Sequence, residues 1–321
     1  MSNNSHVGSE RSIIQAFGHQ LAVDHPGDVA DRPGPMWVFI HGIAVSSSFW
    51  APLMPETFRE NAAWLSVSLP VHSPSRGPDG FGARDVTPSL FTNVVGAALN
   101  RYARGREVII VGHSTGGFAG LCLALSRPEQ VVGVVSVGGF ADGEWTGLEG
   151  DMQLMAQKRK YGVLGPHLLK LTSRLTTRWP WLHMQVASAF AEDKRAFLAD
   201  KPTRQAFARL RQDARTQDED QLIAFFAGIR RVNIWDRLHC IAQPVLVLDG
   251  MSDPVIPRRK TEELASILPN GELRRYDGVG HMVMNERRER FWKDISEWGE
   301  TVTKPDCGPE NAGPATKEAI A

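Results

Sequence analysis

Val108-Ile109-Ile110-Val111-Gly112-His113-Ser114-Thr115-Gly116-Gly117 decides the fold. The β-branched run Val108 to Val111 predicts a strand buried on both faces. Past the glycines, Phe118, Leu121, Cys122 and Leu125 share one helical face. Between the two lies Gly112-His113-Ser114-Thr115-Gly116, an instance of G-x-S-x-G, so Ser114 sits in a strand-to-helix turn. A turn that tight strains the serine backbone and needs small residues two positions away on either side. Gly112 and Gly116 meet that need. The motif also arises by chance in glycine-rich loops, and the chain has 30 glycines. The competing reading is a serine that only caps the helix, and the rest of the chain must decide.

Composition narrows the field. The 321 residues are 42% hydrophobic and 22% charged, ordinary for a globular protein with a sizeable core. A formal net charge of zero gives no reason to expect nucleic acid as a partner. No apolar run has the length of a membrane span. Met1 to Arg11 is polar, lacks a signal-peptide core and reads as a disordered lead-in. Cys122, Cys240 and Cys307 have no metal-binding spacing, and a cytoplasmic location fits them.

Strand and helix patterns alternate along most of the chain. Strands are expected at Ile13–Phe17 and Leu21–Asp24 as a hairpin, then at Trp37–Ile40, Trp64–Leu69 and Val131–Val137. Ser46 or Ser47 can cap a helix carrying Trp50, Leu53 and Met54. Ser89 to Arg104 reads as a helix. From Ala141 to Arg231 only helical patterns occur: Met152–Tyr161, His167–Leu175, Trp181–Ala199, Thr203–Thr216 and Asp220–Arg230. Alternation then resumes with strands at Pro244–Leu248 and Leu273–Tyr276, and helices at Arg258–Leu268 and Glu286–Thr303. Lys304 to Ala321 reads as a disordered tail. The pattern predicts a mostly parallel α/β sheet flanked by helices. Residues 12–140 and 232–303 would form the core, and residues 141–231 an inserted all-helical cap over the carboxyl ends of the strands.

A serine hydroxyl needs a base to take its proton, and the base needs a carboxylate to orient it. Of ten histidines only His281 lies beyond residue 239, in Gly278-Val279-Gly280-His281-Met282 just after a strand. Asp253 lies past the Gly250 turn and can reach back over the sheet edge. Asp249, at the strand end, reads as a turn-stabilising residue, and Asp142 is a third candidate acid. The oxyanion of a tetrahedral intermediate needs two fixed donors. The backbone N–H groups of Thr115 and Ile43 are the candidates. His41 reads as a structural loop residue.

These pieces together resemble the α/β-hydrolase superfamily across most of Trp37 to Trp298. The resemblance is carried by His41-Gly42 with Trp50-Ala51-Pro52-Leu53, by Gly112 to Gly117, by Asp236-Arg237-Leu238 leading into Pro244 to Leu248, by Gly250 with Asp253, and by Gly280-His281. It implies a Ser114–Asp253–His281 triad, an oxyanion hole at Ile43 and Thr115, and no cofactor or metal. A serine nucleophile in place of a carboxylate argues against the dehalogenase and epoxide hydrolase branches. One loop departs from the family pattern D-L-P-G-H-G-x-S: here it reads Ser68-Leu69-Pro70-Val71-His72-Ser73-Pro74-Ser75. With Val71 and Ser73 in place of glycines, left-handed backbone is not expected there.

Aromatic residues crowd the insertion, and some are expected to line a pocket between cap and sheet for an apolar small molecule. His72, Trp145, Trp179 and Trp181 are the candidate substrate contacts. The expected activity is hydrolysis of a carboxylic ester or lactone through an acyl-enzyme. Carbon–carbon bond hydrolysis or acyl transfer by the same triad is the alternative, and a ligand receptor with a vestigial triad the reading from another class.

Overall fold

The computed structural model describes residues 9–303. The expectations for residues 1–8 and 304–321 lie outside the described residues, as does Cys307. Eight strands form one sheet: β1 (Glu10–Ala16), β2 (His19–His25), β3 (Met36–Ile40), β4 (Trp64–Val67), β5 (Val108–His113), β6 (Val131–Val137), β7 (Val245–Gly250) and β8 (Gly271–Tyr276). Their order is β1-β2-β4-β3-β5-β6-β7-β8. The β1–β2 hairpin is antiparallel and joins β4 antiparallel; every pairing from β4 to β8 is parallel. Glu10 and Arg11 belong to β1, so the lead-in expected to reach Arg11 ends before Glu10. Pairing with Asp24 in β2 explains this: Arg11 sits opposite it and its guanidinium reaches the carboxylate at 2.6 Å.

The central strands are buried on both faces, as their β-branched sequences demand. Along β3, Val38 and Ile40 enter the core on one face, and Trp37 and Phe39 the core on the other. The helix Thr115–Ser126 and the helical residues 88–103 cover the first face. The C-terminal helix Arg288–Thr303 covers the second with Phe291, Trp292, Ile295 and Trp298. At the open edge, β8 carries Glu272, Arg274 and Arg275, and such charges disfavour edge-to-edge pairing with another chain.

Between β6 and β7 the described chain is helical: Gly147–Ala156, Leu164–Arg178, Pro180–Ser188, Lys194–Ala199, Lys201–Ala214 and Glu219–Ile229. The two ends of this insertion are stitched together. Gly143 N donates to Val232 O at 3.0 Å, and Ile234 N to Ala141 O at 2.9 Å. The helix expected over Trp181–Ala199 is broken after Ser188, and Asp193 caps the next segment by accepting from Ala196 N at 2.9 Å. The break frees a carbonyl, Phe190 O, which accepts from His281 N at 2.8 Å. Cys122 is buried and Cys240 exposed, and neither is in a disulfide. Among the described residues no helix is long and apolar enough to cross a membrane.

Candidate active site

Ser114 joins the end of β5 to the helix Thr115–Ser126 with φ +52° and ψ −116°. That left-handed backbone costs a non-glycine residue about 1–3 kcal/mol and persists only where the surroundings impose it. The Ser114 amide donates to Val137 O on β6 at 2.8 Å, and its carbonyl accepts from the first helical turn. A Cβ on Gly112 would lie 2.2 Å from Gly116 O, and one on Gly116 would lie 2.1 Å from Ile40 O. Both glycines are therefore required by contact. Thr115 is the first helical residue, so its N–H lacks an intrahelical acceptor. The loop after β3 lies against this turn: a Cβ on Gly42 would sit 3.2 Å from Ser114 Cβ. Ile43 follows, and lines the same cavity as Ser114.

The loops after β7 and β8 bring a carboxylate to an imidazole. His281 Nδ1 lies 2.6 Å from Asp253 Oδ2. Asp253 Oδ1 accepts from Val255 N at 2.7 Å and Ile256 N at 3.0 Å, which fixes the carboxylate. Both side chains are almost fully buried. Gly138, at φ +52°, makes room for the pair, since a Cβ there would lie 3.0 Å from His281 Nδ1. Glu286 holds the histidine loop from behind. It accepts from Gly280 N at 2.9 Å and, with its other oxygen, from Glu192 N at 2.8 Å in the helical insertion.

Burial pulls the His281 pKa down, but the charge and hydrogen bond of Asp253, with Glu149 and Glu286 adding, outweigh it and leave it raised. His113 is the opposite case. Burial first, then the nearby His281 and His41, push it well below the usual value, against the carbonyl of His281 that Nε2 reaches at 3.1 Å. His41 is likewise neutral. Leu69 N donates to its Nε2 at 2.9 Å, so Nδ1 carries the proton and donates to Gly42 O at 2.6 Å.

Ser114 and His281 line one cavity of about 220 Å³ between sheet and insertion. The Ser114 hydroxyl makes no hydrogen bond to His281, whose side chain is hydrogen-bonded to Asp253. The wall is mostly apolar, with Met152, Leu169, Val186, Phe207, Leu210 and Phe226. Of the four expected substrate contacts only Trp145 lines it. Trp179 and Trp181 point to solvent, 43% and 65% exposed. His72 lies behind the wall, its edge on Phe225 at 4.7 Å and its Nδ1 donating to Pro70 O at 2.9 Å; burial pulls its pKa down to about 4.

The departing loop corrects a second expectation. Val71 adopts φ +60°, the left-handed backbone not expected of it. Gln217 of the insertion holds it there, donating to Val71 O at 2.8 Å and accepting from Ser73 N at 2.8 Å. The other candidate acids are occupied elsewhere or buried apart. Asp142 is 2.5 Å from Lys260 Nζ and accepts from the Trp235 indole at 2.7 Å. Asp249 is buried in β7 with no hydrogen bond to either carboxylate oxygen, and burial pushes its pKa up to about 6.

A family model described as the alpha/beta hydrolase family matches residues 37–294. The chain belongs to the alpha/beta hydrolase family. Its curated relatives are distant. The magnesium-chelatase 30 kDa subunit of Rhodobacter capsulatus is 24% identical over 84% of this chain and 89% of its own length. A RutD protein of Serratia proteamaculans is 26% identical over 84% and 92%. Among solved structures, the enol-lactonase from Burkholderia xenovorans LB400 superposes with a TM-score of 0.67 at 18% identity, covering 90% of this chain and all of that one. At that identity the likeness speaks for the fold.

Within this alpha/beta hydrolase, one residue that sequence reasoning passed over faces the cavity. Glu149, in the first turn of the helix Gly147–Ala156, is 8% exposed, and among the described residues no other residue donates a hydrogen bond to its carboxylate, whose Oε2 is buried without a partner. No sequence motif marks it; only its burial does. Among the described residues no group of three or more His, Cys, Asp or Glu is arranged to hold a metal ion.

Proposed function

We propose that this protein is a serine hydrolase that cleaves a carboxylic ester or lactone with an apolar acyl or ring portion. The observation that carries the proposal is the strained Ser114 turn and the Asp253–His281 pair opening onto one cavity. Ser114 Oγ attacks the carbonyl carbon while its proton passes to His281 Nε2. The negative charge on the carbonyl oxygen is held by the N–H groups of Thr115 and Ile43. Collapse breaks the carbon–oxygen bond, and the leaving alkoxide takes the proton from His281. Water then attacks the acyl-Ser114 ester with His281 again as base, releasing the acid and restoring the hydroxyl. Asp253 holds the imidazole in the tautomer with its proton on Nδ1 and stabilises the imidazolium that forms twice in the cycle.

The apolar wall supports an apolar substrate, since few of its polar groups would be left unpaired by a hydrocarbon chain. The helical insertion is in this reading a cap over the reacting groups. The free Cys122 and Cys240 fit a reducing compartment. The test is a panel of acyl esters, lactones and diketones, with Ser114→Ala as the blank and a fluorophosphonate probe as a readout of serine reactivity. Turnover by the parent with loss of about four orders of magnitude or more in Ser114→Ala is the expected result. Ester turnover unchanged by Ser114→Ala would overturn the assignment.

A further inference from the structure

A carboxyl group buried without a hydrogen-bonding partner is expensive, and its persistence needs a reason. Glu149 comes close to this: its Oε2 is buried without a partner, its carboxyl is met only by its own backbone N–H, and it sits in the wall of the cavity that holds Ser114 and His281. A second orphan stands four residues before it on the same wall. The indole N–H of Trp145 is buried with no acceptor, its ring held between Phe140 at 5.4 Å and Phe226 at 6.5 Å. Polar and charged side chains elsewhere on the insertion are already paired. Gln153 is hydrogen-bonded to Gly143 O at 2.7 Å, Lys170 is paired with Asp220 at 2.5 Å, and Arg174 with Glu219 at 2.9 Å. On the insertion's side of this mostly apolar wall, one N–H donor and one carboxyl oxygen are thus buried without partners among the described residues.

We propose that Trp145 and Glu149 form a substrate subsite for a neutral group that both donates and accepts a hydrogen bond, a hydroxyl or a secondary amide. The subsite rests on the reading of this cavity as the hydrolytic site, and it narrows the substrate class from apolar esters to those bearing such a group away from the scissile bond. Trp145 donates to the group's oxygen, and the group's O–H or N–H donates to the Glu149 carboxyl. A neutral partner is favoured over a cation by the charges that face Glu149. His281 must become an imidazolium during the reaction, and a substrate ammonium held beside it would oppose that charge in a low-dielectric cavity. Burial also pushes the carboxyl's pKa up to about 7, with His281 and its own backbone N–H pulling down and Asp253 adding to the rise, so the protonated form is well populated near neutral pH. A neutral carboxyl can donate as well as accept, which suits a hydroxyl.

The test uses p-nitrophenyl esters with acyl chains of three to eight carbons, each ending in methyl, hydroxyl, methoxy or ammonium. At the chain length that reaches the subsite, the parent enzyme should prefer hydroxyl over methoxy by about 10- to 100-fold in kcat/KM. Glu149→Leu should bring that ratio close to one; the ratio is the readout because Glu149 also helps raise the His281 pKa, so its removal changes turnover of every ester by a common factor that cancels. Glu149→Gln should keep part of the preference, because an amide still donates and accepts. A hydroxyl preference unchanged by Glu149→Leu, an ammonium preferred over a hydroxyl, or an equal loss on every ester would each overturn the proposal. Calorimetric binding of the same compounds to Ser114→Ala reads the subsite without turnover. Hydroxyl-selective binding there, lost in the Ser114→Ala/Glu149→Leu double variant, would support the subsite even if no ester were turned over, an outcome that would sink only the hydrolase reading.

Discussion

His281 Nδ1 lies 2.6 Å from Asp253 Oδ2, and the other oxygen of that carboxylate is pinned by the amides of Val255 and Ile256. The imidazole is therefore oriented by a carboxylate that is itself fixed by backbone. Asp253→Asn keeps the shape but offers an amide that can present its NH2 to Nδ1, favouring the tautomer with the proton on Nε2, where it cannot accept from Ser114. The expected loss is about 10⁴-fold in kcat with the fold unchanged. Steady-state kinetics on an activated ester, with circular dichroism as the fold control, checks it; a loss under tenfold would remove Asp253 from the proposed triad.

Activity and stability should run in opposite directions with pH. The proposed base His281 acts only when neutral, so under that proposal kcat/KM should rise with pH along a limb whose midpoint lies above 6.5, because the net effect of its surroundings is to raise its pKa. Asp253→Asn should move that midpoint down, since burial then acts with less opposition. For stability, a histidine whose folded pKa is raised contributes fully below its unfolded value and loses that contribution as pH climbs through the folded one. Glu149 acts in the same sense. Its folded pKa of about 7 exceeds the ordinary 4.5, so its contribution is present below 4.5 and gone above about 7. Glu149→Gln should therefore gain stability relative to the parent between pH 5 and pH 8, by on the order of 3 kcal/mol. Denaturant melts of both proteins at those two pH values measure the difference; a gap independent of pH would contradict the placement of Glu149.

Gly138 separates a backbone cost from a catalytic one. At φ +52° an alanine is strained, and its Cβ would also meet His281 Nδ1 at 3.0 Å. Gly105 has φ +81° with open space around it, so Gly105→Ala carries the backbone cost alone. Each should lower stability by about 1–2 kcal/mol. Only Gly138→Ala should also cut kcat, by about 10- to 100-fold, as the imidazole shifts. Thermal melts and kinetics on the pair give the answer, and equal activity in both would mean the ring tolerates the methyl group.

Much of this was legible in the sequence, for physical reasons that can be named. Buried parallel strands must be continuously apolar, so Val108–Val111 and Val131–Val137 declare themselves. The serine turn needs Gly112 and Gly116, and contact distances near 2 Å show why no other residue serves. Asp253 and His281 could be paired because strand order restricts which loops meet. The substrate contacts were less legible. Aromatic character alone cannot tell a cavity wall from an outer surface, and Trp179 and Trp181 are exposed. His72 does not line the cavity, and a buried histidine satisfied by Pro70 O has the same sequence signature as a ligand contact. Glu149 lacks a motif, and its interest comes from the absence of partners, which only coordinates reveal.

The loop at Val71 offers a test of how the insertion is coupled to the sheet. Left-handed backbone is costly for a β-branched residue, about 1–3 kcal/mol, and glycine would remove that cost. Val71 is also buried, and burying a valine side chain is worth about 1.5–3 kcal/mol. The two terms nearly cancel, so Val71→Gly alone should change stability little. Gln217 is different. It donates to Val71 O and accepts from Ser73 N, both at 2.8 Å, so Gln217→Leu leaves two backbone groups without partners. A loss of about 2 kcal/mol is expected. If the hydrogen bonds of Gln217 are what hold Val71 at φ +60°, the substitutions should not be additive. With glycine at 71 the strained geometry no longer needs holding, and Gln217→Leu should cost about 1 kcal/mol less in that background. A double-mutant cycle by denaturant melts measures the coupling, and strict additivity would show that the conformation of Val71 is imposed by the sheet side of the loop instead.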